Sequence, residues 1–399
     1  MRYGRLVLRV CAVLIVLARW LGPLPAAAEE QVVKIGGVLP ITGVFAAAGK
    51  EVSDGLMDCL AVANQEGGIN GKKIVFITED SQYKLDVGKA AFETIMQRDN
   101  PIAMFGDSTH LSKAMADAIR DRYRVLYSSA SFSSDLAQAG LYPSIFIPGP
   151  TYSDQMGLIL RYISQQKPGA KIALVYSDTE FGRDPIPFAR KLVPKMKLDL
   201  VGERAESPKP KDLNETVEFF RKANPDYLIV HGFAGACLTE LVKKSREAGL
   251  GCRFIGTYWE VSKKNLMELG PLAEGILTVN PYALWPMDHI PMVRKIRELN
   301  AKNHPEVSYR TTHYMGGFAA GMIFLEIMRH ADKAGKLNYD GMVEALRNLK
   351  DFETGGLTSP LTCYNNSFPQ ARIWKANPAT REFEPETDWT TFRLKRQIE

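Results

Sequence analysis

Residues 32–80 read VVKIGGVLPITGVFAAAGKEVSDGLMDCLAVANQEGGINGKKIVFITED. Positions 32–39 form a short apolar, β-branched run, as a buried strand does. Pro40-Ile41-Thr42-Gly43 breaks it. From 49 to 64 the apolar residues Val52, Leu56, Cys59, Leu60 and Ala63 recur at helical spacing. Gly67-Gly68 and Asn70-Gly71 punctuate the helix end and the next turn. Residues 73–78 read as a second strand, ending in Glu79-Asp80. A strand, a crossover helix and a strand predict a parallel sheet. Ligands of such sheets gather at the carboxyl ends of the strands, so the strand-exit loops are the places to search for function.

The same alternation runs outward from this unit. Strands are expected at 101–105, 125–128 and 145–147, with helices at 83–98 and from the Gly106 loop to 121. Pro148-Gly149-Pro150 reads as a hinge, followed by a helix over 153–165. A second series then begins. Its strands are expected at 171–176, 198–203, 227–230, 254–257 and 275–280, and its helices at 185–195, 212–223 and 239–248. Pro281-Tyr282 is a second hinge candidate. Helix dominates 292–304, 311–332 and 339–349; the glycines of the 311–332 segment suit close packing. Short strands at 357–363 and 371–375 precede a mixed, charged tail that reads as an irregular surface arm.

The chain has 399 residues, 45% of them hydrophobic, enough for two ordinary cores. Residues 1–28 read as a secretory signal: Arg2, Arg5 and Arg9 lead, 10–18 is apolar, and Ala26-Ala27-Ala28 supplies the cleavage site. The apolar run is too short for a membrane anchor, and Arg19 interrupts its far end. That segment carries four arginines and no acid, so its removal lowers the formal net charge from +5 to +1. The basic balance therefore gives no ground for a nucleic-acid partner. Cys59, Cys237, Cys252 and Cys363 show no metal-type spacing. Export permits a disulfide, but Cys237 and Cys252 fall near opposite ends of one expected helix, too far apart to bridge. Buried free thiols are expected, with no metal and no cofactor.

Catalytic signatures are missing. There is no G-x-S-x-G, H-E-x-x-H, P-loop or G-x-G-x-x-G. His110, His231, His289, His304, His313 and His330 have no nucleophile or metal partner at useful spacing. An enzyme is disfavoured.

The opening unit resembles the start of a periplasmic substrate-binding protein of the branched-chain amino-acid (leucine-binding-protein-like) family, which serves ABC transporters. The features that carry the resemblance are the first strand, the P-x-T-G loop at Pro40–Gly43, the small-residue segment closed by Gly49, and the N-x-x-G-G-I-N-G helix end at Asn64–Gly71. It extends over nearly all of the chain after residue 30. It implies a type I, two-lobe α/β fold, each lobe a parallel sheet flanked by helices, joined by three hinge crossovers. The lobes would comprise 29–148 with 281–358, and 149–280 with 359–399. It also implies a small ligand held between the lobes, with first-lobe hydroxyls and backbone N–H groups on its carboxylate. Acids would take its ammonium, and second-lobe tyrosines would close over it.

Carried over position by position, Ser108, Thr109 and His110 match the first carboxylate loop, and Ser129, Ala130, Ser131 and Ser133 the second. His110 could donate to a carboxylate, or simply start a helix facing solvent. Ser133 could equally cap a helix. The departures say more. Ala48 stands where the family carries a large aromatic before the glycine, which would enlarge the pocket. Phe181 and Phe233 replace closing tyrosines. Tyr258, beside Trp259, aligns with an acid that reads the ammonium, although a small shift would put Glu260 there. The other ammonium partner falls at Thr151 or Tyr152, with Asp154 near but placed to start a helix. Tyr282 could reach the cleft from the second hinge.

An unpaired buried ammonium is costly, and aromatic faces suit flat apolar ligands. The reading is a periplasmic solute-binding component of an ABC importer that takes a small organic acid, favoured to be an aromatic carboxylate. Phe181, Phe233, Tyr258 and Trp259 would form a shared aromatic wall. Its partners would be that ligand and a membrane permease, with the protein a monomer. The alternatives are a branched-chain or other amino acid as ligand, and a sensor domain feeding a membrane receptor.

Overall fold

The computed structural model describes residues 31–392; the expected signal at 1–28 and the last residues, 393–399, lie outside the described residues. The first half of the chain runs β1 (Val32–Leu39), α1 (Ala46–Gln65), β2 (Lys73–Asp80), α2 (Leu85–Asp99), β3 (Ala103–Gly106), α3 (Thr109–Ala118) and β4 (Leu126–Ser129). It then crosses to α4 (Tyr152–Gln166), β5 (Lys171–Ser177), α5 (Glu180–Arg183), α6 (Ile186–Lys195), β6 (Asp199–Glu206), α7 (Asn214–Ala223), β7 (Tyr227–His231), α8 (Leu238–Glu247), β8 (Arg253–Gly256), α9 (Lys263–Leu269) and β9 (Leu277–Asn280). A second crossing leads to α10 (Pro291–Asn303), α11 (Thr312–Lys333) and α12 (Tyr339–Asn348). A third leads to β10 (Gln370–Asn377), β11 (Glu382–Pro385) and β12 (Thr390–Thr391).

Two sheets result. The first has the order β2-β1-β3-β4, all parallel. The second has the order β11-β10-β9-β8-β7-β5-β6, parallel from β9 to β6. Each parallel strand is followed by a helix that covers a sheet face, as such connections require. The architecture is a two-lobe α/β fold with three crossovers.

The first lobe is closed by α11 lying on α1. Both helices are stripped to small residues where they cross. A Cβ on Gly55 would sit 2.1 Å from the Tyr314 carbonyl oxygen, and one on Gly317 would sit 2.1 Å from that of Val52. The two backbones touch there, so the glycines of the 311–332 segment do serve close packing. α3 does not run on to 121 in regular form; it ends in a widened turn over Ile119–Tyr123, stopped by Arg124 in the left-handed region.

Several expected elements are corrected. The 145–147 segment forms no strand; it adds one bridge, Ile145 beside Tyr127, before entering the first crossing. The 357–363 segment is likewise a connection rather than a strand. Its Thr358 backbone is held by the Thr354 hydroxyl, and Leu361 bridges only to Phe352. Both lie on crossings, and each makes a single bridge before the chain moves on, too little pairing for a strand. The tail is not irregular: β10 runs antiparallel on β9, and β11 and β12 run antiparallel on β10. The exit loop at 178–182 contains a helical turn, α5, capped by the Thr179 hydroxyl. Cys59, Cys237, Cys252 and Cys363 are free thiols, the first three buried.

Candidate ligand-binding site

A cavity of about 400 Å³, counting its mouth, opens between the lobes. From the first lobe it receives Pro40, Phe45, Ala48, Gly49 and Val52 after β1, Tyr83 after β2, Asp107, Ser108 and Thr109 after β3, and Ala130 after β4. From across the first crossing come Tyr152, Phe181, Ala234 and Trp259. These are strand-exit positions and the start of α4, as a parallel sheet places its ligands.

The polar end is built by α3. Ser108 caps it, its Oγ accepting from the Leu111 N–H at 3.3 Å. The same hydroxyl donates to Asp107 Oδ1 at 2.5 Å, and Ser81 donates to the other oxygen. Asp107 is buried, and burial pushes its carboxyl above the usual range against the pull of those two hydroxyls. Thr109 Oγ1 lies 2.9 Å from Ser131 Oγ. The remaining serines hold the second loop rather than line the cavity. Ser129 Oγ accepts the Ser131 N–H at 3.0 Å, Ser131 Oγ accepts the Ser133 N–H at 3.2 Å, and Ser133 donates to Asp184. His110 stays off the lining, its ring edge-on to Tyr83 at 4.9 Å.

The aromatic wall differs from the sequence reading in its members. Phe181 and Trp259 line the cavity, as does Tyr152. Phe233 does not: it is wholly buried in the second-lobe core with Val230 and Phe254. Tyr258 turns toward the hinge, its hydroxyl donating to the Thr312 carbonyl at 2.9 Å and its N–H to Gln155 Oε1 at 3.0 Å. Tyr282 also serves the hinge, donating to the Pro148 carbonyl at 3.1 Å. In their place stand two first-lobe rings that the sequence reading missed. Phe45 and Tyr83 meet edge to face at 4.5 Å, and both line the cavity beside Ala48. They arise from loops without periodicity; the signal available was Phe45, three residues before Ala48.

His231 supports Phe181 from behind. Its Nε2 lies 3.0 Å from the Phe181 carbonyl, which can only accept, so Nε2 carries the proton; Nδ1 then accepts from Thr257 Oγ1 at 2.7 Å. Burial holds this imidazole neutral, down at about 3.

The acids near the cleft are occupied. Glu260, wholly buried, accepts the N–H of Gly232 at 2.7 Å and of Phe233 at 3.0 Å, and burial pushes it up to about 7. Asp154 takes both the N–H and the hydroxyl of Thr151 in a capping box at the start of α4; burial pushes it, too, up to about 7. The acid on the cavity lining is Asp107. Among the described residues no cluster of His, Cys, Asp and Glu could hold a metal ion. No described helix is long and apolar enough to cross a membrane.

Two α/β lobes with a cavity at their facing strand ends make a ligand-capture scaffold. The profile of the periplasmic binding protein family matches residues 32–372. The Leu/Ile/Val-binding protein homolog 3 of Brucella melitensis is 22% identical, covering 84% of this chain and 91% of its own length. A branched chain amino acid ABC transporter protein from Thermus thermophilus, solved with bound valine, superposes with a TM-score of 0.82 at 22% identity, covering 93% of this chain and 98% of its own. A fatty acid ABC transporter substrate-binding protein from Thermomonospora curvata superposes with a TM-score of 0.79 at 19% identity, covering 93% of this chain and 96% of its own. The chain belongs to the periplasmic binding protein family.

Proposed function

We propose that this protein is the exported, periplasmic solute-binding component of an ABC importer, and that it captures a small organic acid with a flat apolar body, an aromatic carboxylate being favoured. The observation that carries this is the lining itself. Phe45, Tyr83, Tyr152, Phe181 and Trp259 surround a space whose polar end offers the Ser108–Thr109 start of α3, while Glu260 and Asp154 are engaged elsewhere. The ligands named for the two structural neighbours, valine and a fatty acid, share a carboxylate and differ in the body. That pattern suits a common carboxylate end and a variable wall.

The lobes that move are taken as 29–148 with 281–358 and 149–280 with 359–399. The first lobe takes the carboxylate, the second swings over it at the crossings, and the closed form docks on a membrane permease. The protein acts as a monomer and breaks no bond in its ligand.

Asp107 supports a second reading. As a carboxylate on the lining, it could pair an α-ammonium, which would make the ligand an amino acid. A thermal-shift panel of benzoate, cinnamate, leucine and valine separates the two. Ligand at about a thousand times its dissociation constant adds roughly 4 kcal/mol, a shift of several degrees. Shifts with the aromatic acids alone, retained in Asp107→Asn, are expected. Shifts with leucine or valine that vanish in Asp107→Asn would establish the second reading instead.

A further inference from the structure

Trp259 lines the cavity, is 7% exposed, and its Nε1 is buried without a hydrogen-bond partner. A buried N–H left without an acceptor is costly, and native structures retain few of them. The ring cannot easily turn to seek water. It is wedged against Tyr258 at 4.7 Å, His313 at 4.8 Å and Phe132 at 5.9 Å. The next residue, Glu260, fixes the backbone by gripping the Gly232–Phe233 turn.

Two neighbours of this N–H, the Tyr152 hydroxyl and the neutral His313 ring, carry lone pairs, but neither meets Nε1 with hydrogen-bonding geometry. The Tyr152 hydroxyl lies beside both Thr109 and Trp259, and Thr109 opens α3 on the other lobe. His313, stacked on Trp259, is held neutral by burial and brings no charge. The acid on the lining, Asp107, has its oxygens turned to Ser81 and Ser108. One hydroxyl from the first lobe, with one hydroxyl and one N–H from the second, thus converge where the lobes meet, and all three can donate to an oxygen.

We propose that the Trp259 indole N–H donates to a carboxylate oxygen of the ligand, completing from the second lobe the anion site begun by Thr109. This rests on the organic-acid reading above and deepens it. The second lobe then reads an acceptor at the loop where an ammonium-binding site would need an acid. The ligand class it selects is planar carboxylates without an α-ammonium, and closure itself is rewarded by the carboxylate.

The test uses Trp259→Phe, which keeps a ring and removes the N–H. Benzoate is titrated into wild type and variant, and the tryptophan indole signals of ¹⁵N-labelled wild type are followed by NMR. Expected are an affinity loss of about tenfold in the variant and a downfield move, on benzoate addition, of the signal that the variant lacks. Equal affinities with an unmoved signal overturn the donor role. Binding of leucine in place of benzoate, with the same loss in Trp259→Phe, overturns the ligand class and keeps the donor; leucine bound without that loss overturns both. A wild type that binds neither probe overturns the ligand class, and this inference with it. The NMR readout on wild type stands even where the variant folds poorly.

Discussion

His313 is packed against Trp259 and Tyr258, and burial pulls it from an ordinary 6.5 down to about 4; His231 is pulled down to about 3. An unfolded chain binds a proton at each of these below pH 6.5, which the folded chain refuses. Their contribution to stability is therefore complete above pH 6.5 and is lost as pH falls toward 4. Asp154 and Glu260, raised to about 7, act with the opposite sign: the folded form keeps protons that the unfolded chain has released, so their term weakens as pH rises from about 4 to 7. Replacing His313 by Phe removes one of the acid-labile terms. Denaturation at pH 6.5 and pH 4.5 is expected to show the wild type losing about 2–3 kcal/mol more than His313→Phe on acidification. An equal loss in both proteins would contradict a neutral buried His313. Individual site residues were legible where a strand exit is punctuated and short. Of the candidates, Ser108, Thr109, Ala130, Tyr152, Phe181 and Trp259 stand on the cavity lining. Phe233 does not, because Gly232 takes a positive φ of 92° and Glu260 then grips both N–H groups, which turns the following side chain into the core. No periodicity could reveal that turn. Asp107 escaped notice for a related reason, since its identity as a lining acid depends on which way a single loop residue faces.

At the scale of elements, the α1–α11 crossing is the contact least tolerant of change. Gly317→Ala would drive a methyl group against the Val52 carbonyl at 2.1 Å, where backbone rather than a movable side chain stands. The expected cost is about 1–3 kcal/mol, seen as a fall of several degrees in Tm. An unchanged Tm would mean that the helices can separate without penalty. The strand–helix alternation behind both sheets was readable because buried parallel strands are continuous apolar runs and their covering helices are amphipathic. The tail hairpin was not. β11 lies at a sheet edge with exposed, mixed residues, and its strand character comes from pairing with β10 rather than from its own pattern. The crossings at 145–147 and 357–363 misled for the converse reason: their apolar residues pack into the first-lobe core, while each segment makes only one bridge.

For the whole molecule, the question is what holds the two lobes together. Lys113 on α3 lies 3.0 Å from Asp184, which follows α5, and Ser133 and the Ser134 N–H meet the same carboxylate. The Asp184 side chain is only 2% exposed, and Asp135 and Glu180 also lie beside Lys113. A charge so placed is expected to keep the lobes shut, since opening strands it from its partners. Asp184→Asn should therefore open the molecule, measured without any ligand as a larger radius of gyration by small-angle X-ray scattering. An unchanged radius would show that closure does not depend on this pair. The two-lobe plan was visible in the sequence as an alternation interrupted at Pro148-Gly149-Pro150 and again at Pro281. This junction was not visible, because its charges lie on different lobes and far apart along the chain. The state of the thiols has a practical side as well. Cys59 and Cys237 are shielded, and burial raises Cys252 to about 12 and Cys363 to about 11, so at neutral pH the native sulfurs are poor nucleophiles toward maleimides. Cysteines introduced at the exposed Met57 and Met267, one on each lobe, can then be dyed selectively, giving a two-colour ruler whose energy transfer follows the cleft in real time.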